Sequence, residues 1–511
     1  TAAGRHYNNL IDGGFFMERF KNLINGKLAE PKTGQYFKNI NPADKNEVIG
    51  EFPSSGKEDI QDAVKAARAA FPVWSGLTPP KRADIIRAII RKLRENKDEL
   101  AYIIVREMGK TTAGALGEVK SSIDAAEFAA AEGQRMYGQT TYSSLEKRWV
   151  VIKRTPVGVC GLITAWNAPL AIIAWKLFPA LICGNTIVLK PAEDTPLSAY
   201  FFGNLLKGTG LPDGVINIVH GIGEQAGKAL IDDETIDIMS FTGSSEVGSI
   251  ISDVYGNRMK KCSLELGGKN GLFVMDDADL DVAADAVAAG AFSCAGQRCA
   301  STSRVIAHEK IYDALLEKII KKTKNLKIGP GTDDSNKVNP VINEKQLNNI
   351  KSAIDKAKTD GAELILGGSI LKDGIYSNGY YIEPAIFVNV DPNSDLAQKE
   401  IFGPVLAVFK CKNYEEGIKL INSTEYGLTA SIHTLNFNLA MDAMDRIHAG
   451  VCYVNAPTFG SEAHIPFGGV KKSGNGQREP GNQALDVFSE WKTIYLDYSQ
   501  VNQNSQFSCK N

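Results

Sequence analysis

From residue 157 to residue 266 the chain alternates short apolar runs with longer helical ones, and this alternation constrains its fold more than any other feature. The apolar runs are 157–163, 186–189, 215–219, 237–241 and 262–266, with helical patterns at 171–182 and 197–207 between them. Continuous apolar runs are what strands buried on both faces look like, and intervening helices supply the crossovers that parallel strands need. The pattern predicts an α/β fold with a covered parallel sheet. Ligands on such a sheet bind beyond the carboxyl ends of its strands. Asn167, Lys190 and Gly243 each follow or end one of these runs, so they are candidate site residues. A helix at 311–321 and strands at 363–366 and 405–409 continue the pattern into a second α/β unit, with Cys299 near the junction.

Upstream, Ser55-Gly56-Lys57-Glu58 reads as a capping box. It opens a helix with Ile60, Val64, Ala67 and Phe71 on one face. A second helix follows Pro79-Pro80, with Ile86, Ile89, Ile90 and Leu93 inward. Two segments, 139–155 and 486–497, read as strands outside the alternating pattern.

A chain of 511 residues has room for two or three domains. A net charge of −2 argues against a nucleic-acid surface. The longest apolar stretch, 169–183, is interrupted by Lys176 and Pro179 and is too short to cross a bilayer. The eight cysteines are scattered without a Cys-x-x-Cys pair. That predicts no metal site and reduced thiols, as in a cytoplasmic protein. Residues 1–16 lack the apolar run of a secretory signal. Met17 is the expected functional start, with the residues before it an appendage or else a native extension.

The chemistry-bearing motifs come in a fixed order. Trp166-Asn167-Ala168-Pro169 follows the first strand run, and Lys190-Pro191-Ala192-Glu193 ends the second. No Gly-x-Gly-x-x-Gly follows any strand run. Phe241-Thr242-Gly243-Ser244-Ser245-Glu246-Val247-Gly248 takes its place, joining a strand to a helix whose N–H groups suit a pyrophosphate. Leu264-Glu265-Leu266-Gly267-Gly268-Lys269 follows, then Phe292-Ser293-Cys294-Ala295-Gly296-Gln297-Arg298-Cys299, then Glu400-Ile401-Phe402-Gly403-Pro404-Val405. Singly, each has a plainer reading: an N-cap, a surface ion pair, a turn-forming Asn. Together they offer a thiol nucleophile, a carboxylate base and an amide for an oxyanion.

With these motifs in this order, the chain resembles the aldehyde dehydrogenase superfamily over roughly residues 22–498. Its Gly-Gln-Arg-Cys form is similar to the branch that handles carboxylate-bearing semialdehydes. The resemblance implies a Rossmann-type NAD-binding domain (20–138 and 156–265) and an α/β catalytic domain (266–484). It also implies a β oligomerisation arm (139–155 and 485–498) pairing with a neighbouring subunit in a homodimer or homotetramer, and leaves 1–19 as an N-terminal extension. It makes Cys299 the nucleophile, Asn167 the oxyanion donor and Glu265 the base, freed to move by Gly267-Gly268. Cofactor contacts fall to Ile163, Thr164, Trp166, Lys190, Glu193, Gly223, Gly243, Ser244, Leu266, Glu400 and Phe402. A carboxylate at Glu193 favours NAD, with NADP use still open. Lys176 and Glu479 match positions that pass protons to solvent.

The aldehyde pocket is expected near Asn167, Trp175, Phe292, Arg298, Phe459 and Phe467, widened by Ala168. Arg298 suits carboxylate recognition by its bidentate fork, or else only supports the loop. The expected reaction is NAD(P)-dependent oxidation of an aldehyde, such as 2,5-dioxovalerate, to the acid through a thiohemiacetal and a thioester. A general aliphatic or hydroxy-aldehyde substrate remains the alternative. A CoA-acylating relative would lack Glu265, a Cys-His-Asn hydrolase would need a catalytic histidine, and a structural relative would have lost a catalytic residue.

Overall fold

A computed structural model describes residues 18–500, so the expected start at Met17, the residues before it and Cys509 lie outside the described part. The first seven-stranded sheet runs in the order Lys261–Glu265, Ile238–Thr242, Val159–Ile163, Thr186–Lys190, Ile216–Ile218, Asn22–Ile24, Lys27–Ala29. The first five are parallel, and Asn22–Ile24 closes that edge antiparallel. These five are the strands read from the alternating pattern. Alternate residues of a strand face opposite sides. Val188 accordingly packs with Ile60, Val64 and Ala67 of the helix Lys57–Gly76. Ile187 and Leu189 pack with Ile173 and Leu177 of the helix Ala171–Cys183. Both faces are covered, and the side chains of Thr186–Lys190 are buried along its length.

The second seven-stranded sheet is ordered Glu363–Leu366, Ala385–Val388, Val405–Cys411, Thr302–His308, Asn270–Val274, Thr429–His433, Val451–Val454. It too is parallel except at the Glu363–Leu366 edge. A separate three-stranded antiparallel sheet joins Gln139–Tyr142, Arg148–Pro156 and Ser489–Asp497. Trp149, Trp491, Tyr142, Tyr495 and Leu496 are exposed on it.

Two local expectations need correction. The helix cap lies one residue later than read, and only the return half of a capping box forms. Gly56 is the N-cap, and its N–H is received by the Asp59 carboxylate at 3.1 Å. Ser55 is drawn away because its hydroxyl accepts from Asn22 Nδ2 at 2.8 Å. The strand expected from 486 begins at Ser489, after a short helix Ala484–Val487.

Candidate active site

The strands of the first sheet end on a cavity of about 250 Å³ whose far wall comes from the second sheet's unit. Asn167, Glu265 and Cys299 all line it. Asn167 leaves the turn between Val159–Ile163 and the helix Ala171–Cys183. That helix is seated by a remote carboxylate: Glu118 Oε1 accepts from Leu170 N–H at 2.8 Å and Ala171 N–H at 3.2 Å, and Lys110 neutralises it. The Asn167 amide makes no hydrogen bond with any described residue and stays available to a ligand.

Cys299 follows a turn in which Cys294, Ala295 and Gly296 all have positive φ, at 57°, 51° and 67°. The turn buries Cys294 in the core and brings Cys299 to the cavity wall. Asn270 anchors the far side, with Nδ2 donating to Cys299 O at 2.7 Å and Ser301 O at 2.9 Å. Burial, then the Glu400 and Glu265 carboxyls, push the Cys299 thiol up to about 12.

Glu265 ends its strand with both carboxyl oxygens buried and unpartnered. Burial first, then the nearby Glu479 charge, raise it well above the usual carboxyl range, against Lys176 and Arg478. Lys176 and Glu479 form a wholly buried ion pair at 2.9 Å and also line the cavity. Ser240 and Ser263 hydroxyls satisfy the other Glu479 oxygen at 2.8 and 2.7 Å.

Gly267 and Gly268 serve close approach. A Cβ on Gly267 would overlap the Glu400 carboxyl, and one on Gly268 would lie 2.7 Å from Cys299 O. A Cβ on Gly468 would overlap Glu265 Oε1, so the absent side chain there makes room for the carboxyl.

The cofactor candidates fall into two groups. Trp166, Gly243, Ser244, Leu266, Glu400 and Phe402 line the same cavity. Ser244 caps the helix Ser245–Asn257 through Val247 N–H, directing that helix N-terminus at the cavity. Glu400 accepts from Gly268 N–H at 2.9 Å, and burial pushes its carboxyl up to about 7. The Phe402 and Trp166 rings meet edge to face at 5.2 Å. The second group lies off that cavity, at the carboxyl ends of the two central strands Val159–Ile163 and Thr186–Lys190. Ile163 and Lys190 are register partners, and Thr164 N–H donates to Lys190 O at 3.3 Å. Lys190 Nζ pairs with Glu193 at 2.6 Å, and Gly223 N–H donates to the other Glu193 oxygen at 3.2 Å. Burial opposes the Glu193 charge, but Lys190 outweighs it and holds the carboxyl below its usual range.

Of the aldehyde-pocket candidates, Trp175 and Phe467 line the cavity, with ring centroids 5.7 Å apart. Phe459 packs on the same small apolar cluster as Trp175, Phe467 and Cys299. Arg298 lies over the Phe459 ring at 4.7 Å and donates to Ser293 Oγ at 3.0 Å. Phe292 does not belong to the pocket. It is wholly buried at the end of the helix Leu280–Phe292 and packs on Leu272 and Val305 of the second sheet. Gln346 was not foreseen. It lines the cavity, and its Nε2 donates to Ile401 O at 2.9 Å and Phe402 O at 3.0 Å, bracketing Phe402 at φ 56°. Asn343-Glu344-Lys345-Gln346 has the spacing of a helix start, which locates the helix but not this contact.

The profile of the aldehyde dehydrogenase family matches residues 29–494. The chain belongs to the aldehyde dehydrogenase family. It is 40% identical over 477 residues, 93% of this chain and 98% of the relative, to alpha-ketoglutaric semialdehyde dehydrogenase of Bacillus subtilis. It is 39% identical over 466 residues, 91% and 96%, to 2,5-dioxopentanoate dehydrogenase of Saccharolobus solfataricus. Its fold superposes with a TM-score of 0.92 and 34% identity on the NAD-dependent aldehyde dehydrogenase of Sinorhizobium meliloti, covering 96% of this chain and 97% of that one. The α/β architecture is therefore that of the family. Among the described residues of this aldehyde dehydrogenase, no His, Cys, Asp and Glu cluster could hold a metal, and no helix is long and apolar enough to cross a membrane.

Proposed function

We propose that this enzyme oxidises a carboxylate-bearing semialdehyde of the 2,5-dioxopentanoate type to the diacid, with NAD as the preferred cofactor. The observation that carries the reading is the convergence of a thiol, an unpartnered carboxyl and a free amide on one cavity. The semialdehyde-specific relatives support the substrate class.

The residues fit a dinucleotide. The N-terminus of the helix Ser245–Asn257 suits a pyrophosphate, and Glu193 and Glu400 each suit a ribose. Bound there, NAD supplies the hydride acceptor. Cys299 gives its thiol proton to solvent water and Sγ attacks the aldehyde carbon, and the oxyanion is met by the Asn167 amide and the Cys299 N–H. Loss of hydride from that carbon leaves an acyl group on Sγ. Glu265 takes a proton from water, the hydroxide adds to the acyl carbon, and the thiolate leaves. Lys176 and Glu479 stand beside Glu265 as the groups that move its proton onward.

Arg298 is half-buried beside the Phe459 cluster, and its fork retains donors beyond the one on Ser293. We assign it the distal carboxylate of the substrate. A charge-assisted hydrogen bond is worth about 1.5–3 kcal/mol, or about ten- to a hundredfold in kcat/KM. An aldehyde panel tests this. Arg298→Leu should raise KM for the acidic aldehyde and barely change that for a neutral one of equal length. Equal losses for both would leave Arg298 only shaping the loop.

The arm is read as the oligomer contact. Its outer strand Ser489–Asp497 carries exposed Trp491, Tyr495 and Leu496, and Val451–Val454 is the open edge of the second sheet. Strand addition between subunits would cover both in a homodimer or homotetramer. Seven free cysteines among the described residues favour a reducing, cytoplasmic setting.

A further inference from the structure

Several loops of this site converge on one short segment, 339–346, that carries no reacting group. Gln297, two residues before Cys299 and wholly buried, reaches it with one side chain. Its Nε2 donates to Pro340 O at 3.1 Å and to Cys294 O at 3.2 Å, and its Oε1 accepts from Ile342 N–H at 2.9 Å. The next polar residue, Asn343, faces the Glu193 side. Its Oδ1 caps the helix Glu344–Thr359 through Gln346 N–H at 2.8 Å, and its Nδ2 donates to Asp194 Oδ1 at 2.9 Å, beside Glu193. Gln346 then holds the carbonyls of Ile401 and Phe402, beside Glu400. The thiol loop and the 400–403 loop also touch directly, since a Cβ on Gly296 would overlap Gly403 O.

The thiol loop needs such a restraint. Three consecutive residues in the left-handed region are disfavoured for L side chains and persist only where the surroundings hold them. Gln297 follows that run directly and grips its first residue, Cys294, as well as the segment opposite. A side chain serving only to fill the core would not need three directed hydrogen bonds, two of them to another loop.

We infer that Gln297 is a positioning residue that registers Cys299 against both cofactor loops through the segment 339–346. The presentation of the thiol and the grip on the cofactor are thereby set together. This rests on the reading of Cys299 as nucleophile, and Cys299→Ala is the control for that reading alone.

The test uses the full-length enzyme and the variants Gln297→Leu, Gln297→Glu and Asn343→Ser. Three quantities are read: kcat and KM, NAD affinity by fluorescence titration, and the rate of Cys299 alkylation by iodoacetamide with and without saturating NAD. Wild-type enzyme should show an alkylation rate that NAD changes measurably. Gln297→Leu should lose about tenfold or more in kcat with NAD affinity nearly kept, and lose the NAD effect on alkylation. Gln297→Glu keeps the acceptor for Ile342 N–H but turns an oxygen toward the Pro340 and Cys294 carbonyls, and should lose at least as much. Asn343→Ser keeps a helix cap but drops the Asp194 contact. It should raise KM for NAD about threefold or more and weaken the NAD effect on a thiol it does not touch.

Should Gln297→Leu fail to fold, the other two variants carry the same test. The inference is overturned if NAD leaves wild-type alkylation unchanged. It is also overturned if the folded variants keep wild-type kcat and NAD response, or lose activity only in proportion to folded enzyme with that response intact. Dehydrogenase activity surviving in Cys299→Ala would instead sink the nucleophile reading.

Discussion

Replacing Gly468 with alanine would disable the water-activating step without altering the carboxylate that performs it. Gly468 sits at φ 152°, and a Cβ there would overlap Glu265 Oε1 while lying 2.8 Å from Gln477 O and 2.9 Å from Arg478 Cδ. The Gln477 carbonyl is backbone and yields little. The Glu265 carboxyl yields readily because no hydrogen bond holds either oxygen. Pushing it off its rotamer costs about 0.5–1.5 kcal/mol, far less than sustaining the overlap. A positioned general base contributes about 10²–10⁴-fold, or roughly 3–5 kcal/mol of barrier. The alanine backbone in that region adds about 1–3 kcal/mol of strain, so the melting point should fall while the enzyme still folds. In a rapid-quench experiment the first turnover should still release about one equivalent of reduced nicotinamide, followed by a steady state about 10²-fold slower. Mass spectrometry of the quenched enzyme should find the acyl group on Cys299. Glu265→Gln should behave alike. The reasoning fails if folded Gly468→Ala turns over within a few-fold of wild type, or if its burst disappears while that of Glu265→Gln survives.

Three further outcomes are expected. Cys299→Ala should abolish oxidation while keeping NAD binding, whereas Cys294→Ala, whose thiol lies in the core, should keep most activity; steady-state assays and NAD titration decide it. Because burial and two carboxyls hold the Cys299 thiol near 12, the fraction ionised grows with pH throughout the accessible range. Alkylation of the NAD-free enzyme should therefore still be accelerating above about pH 9, and a plateau near neutrality would contradict the burial. Glu193→Thr should shift the kcat/KM ratio toward NADP by about tenfold, because it removes a charge held ionised beside Lys190. A wild-type preference for NADP would show that Glu193 does not face the ribose.

The first sheet was legible because its central strands Val159–Ile163 and Thr186–Lys190 are buried along their length, so they read as largely apolar runs alternating with helical ones. What escaped were contacts made across long separations. Ser55 has the chemistry of an N-cap, yet Asn22, distant in sequence, claims its hydroxyl. Phe292 stands close to Cys299 in sequence, but the helix ending there turns its ring into the second sheet. Gln346 sits where a helix start is readable, while its partners lie in the loop at 401–402. Gly267 and Gly268 are met closely by Glu400 and the Cys299 carbonyl, a constraint no local pattern encodes.

Four glycines around this site matter through the side chains they lack. Gly267 admits Glu400, Gly268 the Cys299 carbonyl, Gly296 the Gly403 carbonyl, and Gly468 the Glu265 carboxyl. The first three accommodate a partner that is itself fixed, and the fourth a carboxyl whose placement the chemistry needs, so none of these positions varies alone. Change at one demands a simultaneous change at its partner, and for two of them that partner is backbone, which has nothing to exchange. Evolutionary exploration of new aldehydes is thus channelled to Trp175, Arg298 and Phe459, where side chains meet side chains and either partner has something to exchange. An enzyme of this build diversifies its substrates while its chemical step stays frozen.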